Sequence, residues 1–532
     1  MQNAKSAIAL AIVAGLGLAA CGGGGGGGNS GGNGGNGGNG GNGGNGGNGG
    51  NGGEPIVFQQ QFSQSDRYDV SVENFTIDAN TLAISSSQTP SSDFNGPFST
   101  PTGNSVSPEN YFGAVAPSGT PFWANWTIRQ SSIDGNLPGG DFHPLQAEIT
   151  GGTLTPAAAS NCANIAAGLA DGGTTDVFGV TFPVCVITDG DLDGDFTLTN
   201  DHIYVLDGTV QVGNGDVEGA FDQSTVRNDV LTIEAGTQIM ADTGTTPSLV
   251  ITRGSTISAN GTEALPIIFG AVEFESGAIQ NDVTDLDGRG LWGSLVLSGY
   301  GEINNGDDND QTTTEAVPDG VTRWFGGTDN SDSSGTLRYV VLAETGEAFR
   351  PDEEVQGLTI EASGSGTTIE YVQITNSDDD GIEWFGGAAN VRYAVIQGVT
   401  DDSLDMDLGY QGIVQNVLVI QGANFGDRGI ESDSNGDNFG VLPKTQPILA
   451  NITILGNNGN EGGTEAALHR EGFGGQVYRS AYGDDTVINN GAFGDGCLDV
   501  DDELDETLLY GDVLFNCSAG ALVDDIDVEA TE

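Results

Sequence analysis

The sequence predicts an all-β protein in which a solenoid of stacked coils follows a small, loop-rich β domain and a Gly/Asn linker. Two observations carry this prediction. The C-terminal part repeats short β runs with a period in the low twenties, and each run ends in Gly, Asn or Asp turns. Before that part, only residues 161–170 have the character of a helix. One coil cannot bury its apolar residues alone, so coils of this period must stack into a continuous core.

The charge balance excludes whole classes of function. The 532 residues include 75 Asp plus Glu but only 14 Lys plus Arg, which gives a formal net charge of −61. Binding nucleic acid requires clustered cations that neutralise phosphates. With so few basic residues among so many acidic ones, this chain is not expected to form such a cluster. A basic patch that would hold the protein on an anionic membrane is excluded for the same reason.

Residues 1–20 have the features of a signal peptide. Lys5 supplies the positively charged n-region. The run of small apolar residues from Ala7 to Ala20 is too short for a permanent membrane span. The run ends in Leu18-Ala-Ala-Cys21, which resembles the lipobox of bacterial lipoproteins. The resemblance implies cleavage before Cys21 and attachment of diacylglyceryl and an acyl chain such as palmitate to that cysteine. Gly22 follows in place of Asp, which by the same resemblance favours the outer membrane, on its cell-surface or its periplasmic face.

The next two segments precede the solenoid. Residues 21–53 hold the cysteine and then almost pure Gly and Asn, a composition that cannot offset the entropy of ordering, so we expect a flexible linker with a reach of about 30 Å. Residues 54–190 are rich in Ser, Thr, Asn, Pro and Gly with short apolar or alternating runs, which is typical of a small β domain. Residues 191–532 form the predicted solenoid domain.

Four cysteines remain after the lipid-bearing one. An extracytoplasmic compartment is oxidising, and an even count suits disulfides. The separations favour two local pairs, Cys162–Cys185 and Cys497–Cys517, although three connectivities are possible. With three histidines in the chain and no Cys-x-x-Cys spacing, a zinc site is not predicted.

The repeat itself is clearest between residues 368 and 455. The run that begins at Thr368 matches the one that begins at Asn390 at an offset of 22, and further copies begin at Val414 and Leu449. The alternation of each strand predicts which residues face the interior of the coils. These are Ile360, Ile369, Val372, Ile374, Ile382, Leu404, Val417 and Ile430.

Several motifs of this part resemble the right-handed parallel β-helix lipoproteins of Gram-negative bacteria. They begin at Trp292 (WGSLVLSG), Asp380 (DGIEWFGG), Asp402 (DSLDMDLGYQG) and Leu468 (LHREG). The resemblance implies a right-handed parallel β-helix from about residue 196 to the C-terminus. It implies no catalytic residues, because proteins of this kind are largely uncharacterised.

An acidic turn matches the first half of a calcium loop. Asp189, Asp191 and Asp193 alternate and are followed by Gly194 and Asp195. Oxygens at alternate positions with a glycine at the sixth can wrap a hard cation. The twelfth position is Asn200 instead of Glu, so the motif predicts either a single-loop calcium site or an acidic solvated turn.

A second acidic pattern follows from the repeat. If the interior residues stack, Glu383, Asp405 and Glu431 must stack on the opposite face of successive strands, about 4.8 Å apart, with Asp407 and Asp433 two residues further along. Such crowding predicts a divalent-metal or polar-ligand groove. The alternative is an acidic face exposed to solvent or neutralised by Arg428 and Arg470.

The same pattern permits an enzymatic interpretation. Some polysaccharide-cleaving enzymes are parallel β-helices with aspartates on one face. In a hydrolase of this kind, the acid and the base could come from Asp401, Asp402 and Asp405. In a calcium-dependent lyase, Arg428 could be the base. The tetrapeptides characteristic of such enzymes are absent, and an acidic groove repels uronates. Trp324-Phe325-Gly-Gly and Trp384-Phe385-Gly-Gly predict either sugar-stacking platforms or side chains that cap the coils.

These observations favour a non-enzymatic role. We expect a lipoprotein of the outer membrane that serves as a surface binding, adhesion or structural module, with calcium as a partner. The alternatives are a polysaccharide lyase or hydrolase, and an accessory protein of an outer-membrane uptake system. The expected partners are the membrane, through the lipid anchor, and a polysaccharide or an outer-membrane protein.

Overall fold

The protein is a parallel β-helix. The computed structural model describes residues 57–59, 68–218, 225–305, 311–314, 322–349, 355–423, 425–456, 465–500, 504–505 and 507–520. The predicted signal peptide, Cys21 and the predicted linker lie outside these residues. Two long sheets form the walls of the coils, a large sheet of eighteen strands and a small sheet of nine.

The large sheet runs the length of the helix. Its neighbouring strands are parallel except for two antiparallel pairs, one at each end of the helix. Its strands are Val57–Gln59, Tyr68–Val72, Ala170–Val177, Val180–Ile187, Phe196–Leu198, Ile203–Leu206, Val230–Ile233, Gln238–Asp242, Thr256–Asn260, Ile267–Val272, Gly335–Ala343, Thr368–Thr375, Asn390–Gln397, Ile413–Ile420, Ile448–Leu455, Gln476–Tyr478, Ala481–Gly483 and Leu509–Asn516.

The small sheet closes the other side of each coil, and all of its pairings are parallel. Its strands are Val210–Val212, Leu249–Ile251, Leu295–Ser298, Leu358–Glu361, Ile382–Phe385, Leu404–Asp407, Ile430–Ser432, Ala467–His469 and Asp499–Val500. Short strands of two to four residues leave frequent turns, which is why the sequence shows recurring Gly, Asn and Asp.

The remaining elements are short. Four two-stranded hairpins pair Thr76–Ile77 with Ile84–Ser85, Phe98–Ser99 with Ser105–Val106, Phe274–Glu275 with Ala278–Ile279, and Thr312–Thr313 with Trp324–Phe325. The helices are Gln146–Thr150 and Cys162–Ile165, with a 3-10 turn at Ser92–Phe94. In the described ranges, no helix has the length and apolar character needed to cross a membrane.

The interior of the coils is one continuous apolar core. All eight residues predicted to face inward are buried in it. Trp384 lies in the same core, where its ring stacks on Tyr410 with 5.2 Å between the centroids. Strand register explains the stacking order, because Ile382 pairs with Leu404 and Val372 with Ala394 on the next coil.

The large sheet bends at one residue per coil. Tyr339, Tyr371 and Tyr393 have φ values of 48°, 58° and 58°, and Asn416 and Asn451 occupy the same position on the following coils. A left-handed backbone costs a non-glycine residue about 1–2 kcal/mol, and Asn tolerates it best. The three tyrosines instead stack face to face, with ring centroids 4.5 and 4.7 Å apart, which offsets part of that cost.

The N-terminal segment packs along the outside of the large sheet. Phe75, Leu82 and Trp123 form one apolar cluster with Leu418 and Leu455 of the coils. Gln373 fixes the segment further along, because its side-chain amide donates to the Ile128 carbonyl and its oxygen accepts from the Ile128 N–H. The strand Val180–Ile187, which precedes the predicted domain boundary at 190, already pairs with the strand Ile203–Leu206 of the helix.

Both predicted disulfides are confirmed. Cys162 is bonded to Cys185 and Cys497 to Cys517, with Cα–Cα distances of 5.5 and 5.6 Å. The first joins the short helix at the start of the core to an adjacent strand, and the second lies near the last strand. The two crosslinks therefore close the two ends of the stacked core.

Candidate metal centre: a carboxylate ladder on the small sheet

A ladder of acidic residues follows the outward face of the small sheet. Glu383 is the register partner of Asp405, and Asp405 is the partner of Glu431. Alternate residues of these strands point into the core, among them Trp384 and Met406. The alternation thus forces the three carboxylates onto the same side of successive coils.

The ladder is buried although it faces away from the core. The relative exposures of Glu383, Asp405 and Glu431 are 7, 7 and 5%. Part of the cover is an apolar cluster that brings Ile303 and Phe325 against Phe385 and Leu408. The predicted exposed acidic face is therefore absent at this position, because the chain folds back over it.

Acidic side chains from the preceding turns join the ladder. Three groups have carboxylate oxygens within 4.8 Å of one another: Asp379 with Asp380 and Asp401, Asp380 with Glu383 and Asp405, and Asp401 with Asp402 and Asp427. In the second group all three residues are buried. Three convergent carboxylates are the donor set that a hard cation such as calcium prefers.

Asp380 is the member of this group that our sequence analysis did not select. Its carboxylate accepts a hydrogen bond from the backbone N–H of Asp402 at 2.9 Å, which ties the turns of two coils together. A signal was present, because the acidic run that ends at Asp380 recurs 22 residues later as Asp401-Asp402. The same offset of 22 residues that aligns Glu383 with Asp405 aligns Asp380 with Asp402.

Two members of the group Asp380–Glu383–Asp405 have strongly shifted pKa values. Burial, followed by the charges of nearby carboxylates, raises the pKa of Asp380 and of Asp405 well above the usual range. One oxygen of Asp405, Oδ1, is buried and has no hydrogen-bond partner. An unpartnered buried carboxylate oxygen costs free energy unless a cation or a donor occupies the site.

The next coil is neutralised by arginines. Arg470 contacts Glu431 at 2.5 Å through Nη2 and Asp433 at 2.9 Å through Nε. Arg428 contacts Glu431 at 3.4 Å, Glu465 at 2.8 Å and Asp427 at 2.5 Å. Arg428 and Arg470 thus hold the part of the ladder at Glu431 and Asp433.

The protonation of the arginine-bearing part follows from these contacts. Burial acts to raise the pKa of Glu431, but a hydrogen bond from Asp402 and the charges of the two arginines outweigh it and lower that pKa. Burial and the charge of Glu431 raise the pKa of Asp402 well above the usual range. The pKa values of Asp402 and Glu431 are therefore shifted in opposite directions, Asp402 upward and Glu431 downward.

These surroundings are unfavourable for the predicted catalytic roles. Burial alone would lower the pKa of Arg428, but the carboxylates of Asp402, Glu431 and Asp427 outweigh burial and raise it. A guanidinium held in this way does not act as a general base at neutral pH. Asp402 is 2% exposed, so a polysaccharide cannot reach it without displacement of the surrounding chain.

A small pocket opens beside the group Asp380–Glu383–Asp405. Its volume is about 200 Å³. Its carboxylates are those of Glu383 and Asp405 in the ladder and those of Asp407 and Asp433. It is lined by Asn305, Thr312, Thr313, Phe325, Glu383, Phe385, Asp405, Asp407, Leu408 and Asp433. Of these residues, Thr313 is exposed to solvent. Phe385, but not the core residue Trp384, is thus the aromatic side chain that this repeat presents to the pocket.

The predicted calcium loop is arranged differently. The Asp191 carboxylate accepts from the Thr188 N–H and hydroxyl, Asp193 is paired with Arg227, and Asp195 accepts from the Val230 N–H. Asp189 accepts from the Gln211 N–H. Each carboxylate has a separate partner, and none belongs to the groups of the described residues whose acidic oxygens converge.

Comparison with known proteins agrees with the fold. A family model described as a pectate-lyase-like β-helix domain matches residues 190–486, which include the ladder. Among curated proteins and among solved structures, no significant match was found. The matched residues are more than half of the chain, and they include most of the β-helix coils that the structure shows. The chain belongs to the pectate-lyase-like β-helix family.

Proposed function

We propose that this protein is a lipoprotein of the outer membrane that acts as a non-enzymatic binding, adhesion or structural module and holds calcium on its carboxylate ladder. The lipobox-like residues before Cys21 support the anchor. The single observation that supports calcium best is the buried group Asp380–Glu383–Asp405, where three carboxylates converge and Asp405 Oδ1 has no partner.

Calcium fits this group for chemical reasons. It takes six to eight oxygen ligands at about 2.3–2.6 Å, and carboxylates can each supply one or two. Its charge would offset both the mutual repulsion and the burial of the three acidic groups. Sodium at the same position supplies half the charge, so the site should discriminate between the two ions.

Direct titration tests the calcium part of this proposal. Protein treated with a chelator and then dialysed should bind calcium by calorimetry in high sodium chloride, and Asp405→Asn should weaken that binding at least tenfold. The matched control is Asp191→Asn with Asp193→Asn, whose carboxylates are partnered by Thr188 and Arg227. Equal binding by wild type and Asp405→Asn would contradict this assignment.

A polysaccharide lyase or hydrolase is the second candidate. The family match and the aspartates on one face of the small sheet favour it. The burial of Asp402 and the ion pairs of Arg428 argue against it. Reducing-sugar and unsaturated-product assays over a polysaccharide panel, with calcium present, distinguish the two. Activity that disappears in Asp402→Asn would establish the enzyme and refute the non-enzymatic proposal.

A further inference from the structure

We propose that a polar cleft on the large sheet binds a free α-amino acid, with Arg392 holding its carboxylate and Glu370 its ammonium group. The cleft has a volume of about 200 Å³. Its lining contains these two charged side chains and otherwise hydroxyl groups, amides and two isoleucines. It belongs to the large sheet, whereas the carboxylate ladder belongs to the small sheet, so the two sites are independent.

The strand register brings the two charges together. Glu370 is the register partner of Arg392 on the adjacent strand. Ile369 and Val391, which precede them, are buried in the core, so the alternation turns Glu370 and Arg392 outward. Parallel strands lie about 4.8 Å apart. The ammonium and carboxylate of an α-amino acid are attached to one carbon, so a single molecule can contact both side chains.

Arg392 is available for a ligand. Among the residues that the structure describes, no carboxylate lies within 4.0 Å of its guanidinium, although the chain carries 75 Asp plus Glu. Arg428 and Arg470, in contrast, each have a carboxylate oxygen within 3 Å. Glu370 contacts Arg338 at 4.0 Å, and both side chains are partly exposed. An ion pair of this kind contributes little, so Glu370 can accept a second cation.

The walls of the cleft are held in place by the fold. Asn104 comes from the N-terminal segment, and its side-chain amide donates to the carbonyl of Ala388 at 3.3 Å. Asn390 comes from the sheet, and its side-chain oxygen accepts from the N–H of Ile413 at 3.0 Å. A site whose walls are already fixed loses less free energy to ordering when a ligand binds.

The pair of opposite charges selects a zwitterion. A simple anion would meet the carboxylate of Glu370 as well as the net charge of −61, and a simple cation would meet Arg392. A guanidinium binds a carboxylate through two parallel hydrogen bonds, which adds geometric specificity. No lining residue is aromatic, so the cleft offers hydroxyl and amide groups to the side chain of the ligand.

The size of the cleft favours a free amino acid over a peptide. Its volume corresponds to roughly six or seven waters at about 30 Å³ each. That is room for an amino acid with a small polar side chain. A peptide carries its ammonium and its carboxylate at opposite ends, so it cannot present both to Arg392 and Glu370 at once.

Calorimetric titration of the full chain with glycine, serine, asparagine and glutamine tests the inference. We expect at least one of them to bind. Its N-acetyl and its amide derivatives should bind at least about tenfold more weakly, because each lacks one of the two charges. Arg392→Gln should weaken binding of the amino acid to a similar extent but leave binding of the amide unchanged. Glu370→Gln should do the same for the amino acid and the N-acetyl derivative.

Arg227→Gln is the matched control, because Arg227 is paired with Asp193 and lies outside the cleft. It should bind the amino acid as wild type does, and so should wild type in the presence of a calcium chelator. The inference would be overturned if none of the four amino acids bound, if acetate bound as tightly as they do, or if Arg392→Gln bound them like wild type. Binding that requires calcium would also contradict it, since neither charged group belongs to the ladder.

Discussion

Glu383 and Asp405 are register partners on adjacent strands, and each exposes only 7% of its surface. Two carboxylates about 5 Å apart repel by about 3 kcal/mol at an effective dielectric constant of 20. On the following coil Glu431 stands in the same register but is paired with Arg428 and Arg470. The unpartnered Oδ1 of Asp405 is the reason to expect a cation at this level of the ladder, and the two arginines are the reason to expect none at Glu431.

Calcium should stabilise the fold even where salt already screens charge. In high sodium chloride, which screens the general repulsion of an acidic chain, added calcium should still raise the melting temperature. Free calcium at a hundred times its dissociation constant adds about 2.7 kcal/mol. Asp405→Asn should abolish most of the rise in a melting experiment followed by circular dichroism.

The acidic turn provides the comparison for this experiment. Asp191→Asn with Asp193→Asn should leave most of the calcium effect in place, because these carboxylates already bond to Thr188 and Arg227. A melting temperature that does not respond to calcium or to chelator at high salt would mean that the ladder needs no metal.

Arg470 should be essential for the arginine-bearing part of the ladder. Its removal in Arg470→Ala leaves Glu431 and Asp433 buried without their closest cation. The expected loss is about 3 kcal/mol in urea unfolding, since removal of one partner from a buried pair leaves an uncompensated charge. Arg338→Ala is the control, because Arg338 is half exposed and 4.0 Å from Glu370. Similar losses for both variants would disagree with the buried-pair account.

Much of the fold could be predicted from the sequence because its cause is local and periodic. The alternation within each strand placed Ile382 and Leu404 in the core, and the 22-residue offset fixed the register of Glu383 with Asp405. Strand pairing in a solenoid repeats with every coil, so one correct register extends to its neighbours.

The burial of the ladder could not be predicted, because it depends on chain that is distant in sequence. Phe325 packs against Phe385, which follows it by 60 residues in the sequence. The 22-residue repeat does not predict this contact. Trp384 illustrates the same limit. Its pattern permitted a surface platform, but the strand alternation puts its ring inside the coil against Tyr410. Contacts between an insertion and the coils follow no period.

The disulfides should each contribute measurably to stability. They link cysteines 23 and 20 residues apart, and closing loops of this size in the unfolded chain is worth about 3 kcal/mol. Replacement of Cys162 and Cys185 together by alanine should lower the free energy of unfolding by about that amount. Unfolding in urea, with the Cys497–Cys517 bond left intact, measures the effect; an unchanged midpoint would contradict it.

The anchor prediction concerns Cys21, which precedes the described part of the chain. Cys21→Ser removes the thiol that the lipobox resemblance assigns to lipidation, so the protein should move from the membrane fraction to the soluble fraction. Labelling with a fatty-acid analogue should mark wild type only. A variant that still partitions into detergent, together with an unlabelled wild type, would rule out the lipoprotein interpretation.

The buried carboxyl of Glu344 should make stability depend on pH. Burial raises its pKa to about 7 from an ordinary value near 4.5, although the N–H groups of Ala271 and Gly288 donate to its two oxygens. Between pH 4.5 and 7 the folded chain therefore holds a proton that the unfolded chain releases. The free energy of unfolding should fall as pH rises through this window, with a contribution from Glu344 of up to about 3 kcal/mol.

Glu344→Gln separates this contribution from the general repulsion of an acidic chain. The amide cannot ionise, so the dependence of unfolding free energy on pH between 5 and 7 should become shallower, whatever the absolute stability of the variant. Glu370→Gln, at a half-buried position on the large sheet, should retain the wild-type slope. Urea unfolding at several pH values measures the three slopes. If the slope of Glu344→Gln equals that of wild type, the raised pKa of Glu344 is not a source of the pH dependence, and the N–H groups of Ala271 and Gly288 suffice to keep the carboxylate ionised in the folded chain.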